Sequence, residues 1–498
     1  MKQNQSINVM KKLHLIAISV CITTTVTAQL NSRVDKNIEV PAKNVQSQNP
    51  VAPSQAYVSY VSFEKTECIS DAEVLLMQKQ IDDNITMLRK KNPAACRKTF
   101  MVHPLFIWPT QAKAGFADYG YYTVQNLVDH NLSFPGAVRD YNCGTRTYDF
   151  GSGNHRGTDI ILWPFAWRRM DEQVMEVVAA AAGVIVNKLD GNYDRNCANN
   201  GAGSWNAIHV QHADGSIAWY LHFKSGSLTA KIVGDSVSVG EYLGTAGSSG
   251  SSDWPHLHFQ VFDDTGLLID PYDGTCNSLN AGDPWWQTQH AYNDPFINKI
   301  CTKSSQMDYY SCPTSETTYL KDTFNIGDSL WLWAYVRDLE FNSTMQLNIY
   351  NPSMQNAINW SFTVPWATWP TSYVRWNYVV DSWWTQGWWK FEIVYDGNTF
   401  EHQFYMTHSA VGLAEQNNSN NFSITPNPAN ESAIISIPSG LSESSVITIF
   451  DVVGKEIFQT EVNDEAMELD ISKFEKGIYF VQLQSENKIA SQKLIIQH

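Results

Sequence analysis

The sequence predicts a mainly β, multidomain protein, in which an antiparallel β-sheet domain follows an N-terminal helical segment and precedes two β-sandwich modules. Three observations predict it. The 498 residues exceed what one hydrophobic core usually supports, so several domains are expected. Apolar residues make up 43% of the chain and charged residues 17%, the balance of a folded protein. From about residue 100 onward, short runs alternating apolar and polar residues recur between Gly, Asn and Asp turns, whereas sustained helical spacing occurs once.

Residues 1–28 read as a secretory signal, with Lys11 and Lys12 before an apolar run and Val26-Thr27-Ala28 as a small-residue cleavage site. Residues 29–99 read as a leader and candidate pro-segment. Its first part is polar and aperiodic, and then Ser70 and Glu73 have the spacing of a capping box. Val74, Ile81, Ile85 and Leu88 follow at helical spacing, predicting one amphipathic helix to about Lys91. Two placements stand: over a cleft as an inhibitory segment, or packed on the back of the next domain. That domain spans 100–295. The apolar stretch 174–186 is broken by Glu176 and Gly183, so it reads as buried core, and no segment after the signal reaches the roughly 20 apolar residues a membrane span needs.

Residues 301–410 alternate strongly, as in SLWLWAYVRD and WWKFEIVYDG, and predict a Trp-rich β-sandwich. Trp331 and Trp333 share a strand face and read as core. The less regular VPWATWPTSY and SWWTQGWW leave two readings, sandwich packing or rings that contact a glycan or peptide. A polar linker, 411–421, leads to the last module, 422–498. The formal charge of -16 and the lack of a basic patch exclude nucleic acid as a partner. The cysteines left after signal removal form an odd set for an oxidising compartment, and local spacing suggests the pairs Cys301 with Cys312 and Cys68 with Cys96.

Three short pieces carry chemistry: HRGTD at 155–159, YLH at 220–222 and HLH at 256–258. Side chains on a strand repeat every two residues, so His256 and His258 project from one face. In HRGTD, Gly157 allows a tight backbone path that lets a His155 nitrogen and an Asp159 oxygen converge. Two imidazoles and one carboxylate suit zinc, with the fourth position left for water. The other imidazoles, His222 and His256, then orient or deprotonate that water and stabilise an oxyanion. Tyr148 reads as core or as an oxyanion donor; His209 and His212, before a turn, read as structural, and His130 and His290 carry no motif.

HRGTD, YLH and GSSGSSDWPHLHF together resemble the signature blocks of the lysostaphin-type (LytM-like) zinc endopeptidases, over about 100–290. The resemblance implies His155, Asp159 and His258 as zinc ligands and His222 and His256 as the catalytic pair. It also implies amide hydrolysis in peptidoglycan cross-links or stem peptides; extracellular protein is the other substrate class, and a surface binding protein with a vestigial site the remaining reading. DRNCANNGAGS at 194–204 looks like an insertion bordering the substrate groove. Over 422–498, ITPNPA, ITIFDVVGKEIF, GIYFVQL and KLIIQH resemble the C-terminal sorting domain of the type IX secretion pathway, which implies export across the outer membrane of a Gram-negative bacterium.

Overall fold

The structure is a computed structural model. It describes residues 34–35, 38–40 and, from 52 to 497, all but short intervals, of which the widest are 63–68, 198–202, 408–421 and 438–444. The signal segment and the 411–421 linker lie outside the described residues. Strands dominate, and the chain divides into two compact units, residues 1–407 and 408–498.

In the first unit, an eight-stranded antiparallel sheet carries the motifs. Its order is Ser236–Val237, Gly183–Leu189, Ala207–Gln211, Ile217–Leu221, His256–Phe262, Thr158–Leu162 and Tyr122–Asn126, with Leu268–Ile269 added beside His256–Phe262. These strands form because β-branched and aromatic residues alternate between two faces that are both covered. One face buries Ile160, Ala218, Tyr220, Leu257, Phe259 and Val261 in the main core. Register sets the other. Leu221 lies opposite His258, Trp219 opposite Gln260, and His258 opposite Asp159, so all five side chains share that second face.

The helix Asp71–Lys91 covers much of this second face. Ser70 caps it and Glu73 closes the capping box, as the sequence predicts. Val74, Met77, Ile81 and Ile85 pack on Val186, Trp205, Ala207, Trp219, Leu221 and Phe262. Of the two placements the sequence left open, the helix takes the face that carries the motif side chains.

Two further sheets form the Trp-rich sandwich. One is ordered Val34–Asp35, Ala56–Ser62, Ser372–Val379, Ser329–Arg337 and Phe296–Lys303; the other is ordered Thr323–Phe324, Asn398–Met406, Gly387–Tyr395, Thr344–Tyr350 and Asn356–Thr363. Leader residues 56–62 therefore form a strand of this sheet, because AYVSYVS alternates and pairs with the edge left by Ser372–Val379. Rings in VPWATWPTSY and SWWTQGWW mostly pack inward: Trp366, Trp384 and Trp389 are buried, and of the ten Trp in this module Trp388 alone is exposed. Trp333, Tyr335 and Tyr373 instead pack outward against Trp163 and Phe165 of the motif domain.

The suggested cysteine pairs do not hold. Cys96 and Cys301 take part in no disulfide, and Cys143 bonds Cys276 across a sequence separation of 133. Cys301 is buried within a strand, and its spacing to Cys312 carried no information about its neighbours. Cys68 and Cys312 lie outside the described residues. The second unit is a small sandwich, with Ser423–Thr425, Ser432–Ser436 and Ala466–Asp470 on one sheet and Glu456–Val462, Ser445–Phe450, Gly477–Ser485 and Lys488–Ile496 on the other. No helix among the described residues is long and apolar enough to cross a membrane.

Candidate active site

All five motif residues meet at one end of the covered sheet face. Asp159 comes from the strand Thr158–Leu162, with His155 in the turn before it; His256 and His258 come from His256–Phe262. His222 follows the strand Ile217–Leu221 with φ 70°, a left-handed conformation that is rare and costly for a side-chain-bearing residue. His155, Asp159 and His258 each offer one ligand atom, and these atoms lie within 4.8 Å of one another.

Hydrogen bonds bear on which nitrogen of each imidazole carries the proton. His155 Nδ1 lies 2.7 Å from the Leu127 carbonyl, His222 Nδ1 2.6 Å from the Ser249 carbonyl and His256 Nδ1 2.6 Å from the Trp254 carbonyl. A carbonyl only accepts, so each of these Nδ1 atoms carries the proton and each Nε2 is the acceptor nitrogen of its ring. His258 is reversed. Its Nε2 lies 2.9 Å from the Gln260 side-chain oxygen and its Nδ1 2.9 Å from Asp159 Oδ1, so a proton held on Nε2 by Gln260 turns the Nδ1 lone pair toward the carboxylate.

That arrangement is the test of whether a cation fits. His155 Nε2 is buried and makes no hydrogen bond, yet it lies 3.1 Å from Asp159 Oδ2. Nitrogens of two imidazoles therefore face the two oxygens of one carboxylate, a donor set that can hold a positive charge among them. The residues fit a metal ion. Asp159 is buried, and burial opposes its ionisation unless a neighbouring positive charge or hydrogen-bond donor answers it. Asn126 supports it with a 2.9 Å hydrogen bond to Oδ2.

His222 and His256 stand side by side, ring centres 4.4 Å apart. Burial, reinforced by His256 and His258, holds His222 well below the ordinary imidazole range, and burial likewise lowers His256. Both are thus neutral proton acceptors at pH 7. Gly157 owes its identity to space rather than to a special φ: a Cβ there would sit 2.6 Å from His258 Nε2. Tyr148 reaches the site by stacking its ring on His155, centroids 4.3 Å apart.

The other histidines stay apart from the cluster. His209 packs edge-on to Trp219, His212 bonds the Ala182 carbonyl, His130 pairs with Asp270 and His290 stacks on Trp108. Sequence reasoning missed Gln260, although its place two residues after His258 on one strand face was a usable signal. Asn196, in the 194–204 segment, donates to the Gly250 carbonyl beside Ser249, the residue that orients His222.

Comparison with known proteins agrees with this geometry. The model of peptidase family M23 matches residues 154–271, the interval that contains all five side chains. The chain carries a family M23 peptidase domain. Residues 423–497 match the secretion system C-terminal sorting domain, so a sorting tail follows the M23 domain and the sandwich. The glycyl-glycine endopeptidase ALE-1 of Staphylococcus capitis is 31% identical over 123 residues, which is 24% of this chain and 28% of ALE-1's own length. The catalytic domain of lysostaphin from Staphylococcus simulans is 30% identical, covering 25% of this chain and 83% of that one, with a TM-score of 0.19. The catalytic domain of the prophage-encoded M23 protein EnpA of Enterococcus faecalis is 18% identical, covering 30% and 88%, with a TM-score of 0.17.

Proposed function

We propose that this chain is a secreted zinc metalloendopeptidase that hydrolyses peptide bonds in peptidoglycan cross-links or stem peptides. His155, Asp159 and His258 hold the zinc, and His222 and His256 are the catalytic pair. The observation that carries this reading is the convergence of His155 Nε2 and His258 Nδ1 on the Asp159 carboxylate. Zinc, when bound, polarises a carbonyl and brings the pKa of water from 15.7 down to about 7. The Nε2 of one catalytic imidazole accepts the proton of the attacking water; the imidazolium so formed donates to the developing oxyanion and returns the proton to the leaving amine. Proton transfer of this kind contributes roughly 100- to 10,000-fold.

The test is metal content beside turnover. His258→Ala loses both zinc and cleavage. His222→Ala keeps full zinc and loses turnover by at least about 100-fold. Zinc lost in full from the His222 variant overturns the division of roles.

The sorting tail favours a second substrate class. An enzyme exported beyond the outer membrane by the type IX machinery meets foreign walls and extracellular protein before its own wall. Digests of purified wall, a glycine-bridged wall included because of the activity in ALE-1's name, beside an elastin-like protein separate the two. Cleavage of the protein alone transfers the assignment to matrix proteolysis.

The helix Asp71–Lys91 is, on the same reading, a pro-segment that keeps the enzyme latent. Its support is the shared sheet face, the burial of all five site residues, and a clasp in which Arg156, next to His155, pairs with Asp71 and bonds the Ile69 carbonyl.

A further inference from the structure

Three of the four site imidazoles are oriented by main-chain carbonyls, and His258 alone by a side chain. Gln260 follows it by two residues on the same strand face, is 1% exposed, and holds its carboxamide oxygen 2.9 Å from His258 Nε2. Its own amide nitrogen is buried with no hydrogen-bond partner. A carboxamide has two orientations, and here they are not equivalent. Oxygen toward the ring requires a proton on Nε2 and leaves Nδ1 bare. With NH2 toward the ring, Gln260 donates to Nε2 and the ring proton moves to Nδ1. Nδ1–H then donates to Asp159 Oδ1, 2.9 Å away, and the lone pair that a metal needs is gone.

We infer that Gln260 is a positioning residue that locks His258 in the Nε2-protonated tautomer and so keeps Nδ1 available to the metal; this rests on the zinc reading above. A neutral acceptor also has an electrostatic consequence. With Asp159 as the one anionic ligand, a bound dication keeps one net positive charge, which a carboxylate at position 260 would cancel.

The full chain, in wild-type, Gln260→Met and Gln260→Glu forms, supplies the test. Zinc affinity is measured by competition with a chromogenic chelator, and the ring tautomer by proton–nitrogen NMR of labelled histidine in metal-free protein, with His258→Ala to assign the signal. The Met form keeps side-chain length and removes the acceptor; it should bind zinc about 10- to 100-fold more weakly and shift the His258 proton toward Nδ1. Glu restores the acceptor, and with it the Nε2–H tautomer and the wild-type affinity or better. A Met variant with unchanged affinity or unchanged tautomer overturns the assignment. If Met does not fold, the Glu variant decides alone, and loss of the Nε2–H form in it overturns the assignment. Wild-type protein that binds no zinc defeats the zinc reading, while the metal-free tautomer still decides the role of Gln260.

Discussion

A histidine's role here is set by what holds its other nitrogen. Where a carbonyl takes Nδ1, as for His155, His222 and His256, Nε2 is left to act; where Gln260 takes Nε2, Nδ1 is. His209 shows the contrasting case of an imidazole buried for packing. It is fully buried against Trp219, and burial pushes its pKa from 6.5 down to about 3. The unfolded chain therefore binds a proton near pH 6.5 that the folded chain refuses until about pH 3. The contribution of His209 is whole above pH 6.5 and is lost as pH falls through the window down to 3, at up to about 1.4 kcal/mol per pH unit. Urea unfolding of wild type and His209→Leu between pH 7 and 4 should show a shallower acid loss in the variant; parallel curves exclude this role for His209. At this scale the meeting of the five motif side chains was most legible, because HRGTD and HLH each hold two of them within a few residues of each other. The carbonyls of Leu127, Ser249 and Trp254 carry no side-chain signal and were hidden. Gly157 was legible as a necessary glycine, but its reason is the His258 ring and not the turn.

Elements bring those residues together through register. Pairing Leu221 with His258 and His258 with Asp159 puts His258 and Asp159 on one face, and a slip of one residue would turn them into the apolar core on the other side. The helix Asp71–Lys91 was legible from its capping box and apolar spacing. Its docking face was not, because an apolar stripe states only that something covers it. Trp219, Leu221 and Phe262 beneath it are the floor that leads to His258 and Asp159. Protease sites introduced before Ile69 and after Asn92 test latency. Release of the helix should raise cleavage by at least about tenfold, the equivalent of 1.4 kcal/mol of occlusion, and should move Trp fluorescence to the red as Trp219 meets water. Covalent attachment of the helix to the Gly183–Leu189 strand should hold activity at the latent level. A crosslinked enzyme as active as the released one makes the helix a structural layer.

On the scale of the whole molecule, the M23 domain and the Trp-rich sandwich do not stand apart as the composition shift near residue 300 suggests. Sequence patterning gave the sandwich itself, yet contacts between domains leave no period to read. Asn298 donates to the Trp163 carbonyl, the Trp163 indole donates to the Val336 carbonyl, and Arg146 pairs with Asp338, the side chains 8% and 3% exposed. Leader residues 56–62 extend the sandwich sheet, so the leader crosses both layers. A buried ion pair is weak evidence for net stability, but removing one partner strands the other charge at about 3–5 kcal/mol. Asp338→Ala should therefore lower the melting temperature by about 10 °C, at roughly 2–4 °C per kcal/mol for domains of 150–250 residues. The sorting tail is a different matter, because residues 408–498 form their own compact unit with a separate core. A chain ending at residue 407 should melt with the same midpoint and bind the same zinc as full-length protein, yet stay inside the cell envelope when expressed in a host with type IX export. A 100–295 fragment, by contrast, exposes Trp163 and Phe165 and strands Arg146, and should be less stable than the 407-residue form by at least as much as Asp338→Ala. Equal melting of that fragment and the 407-residue form would show that the sandwich is carried alongside the M23 domain rather than built into it.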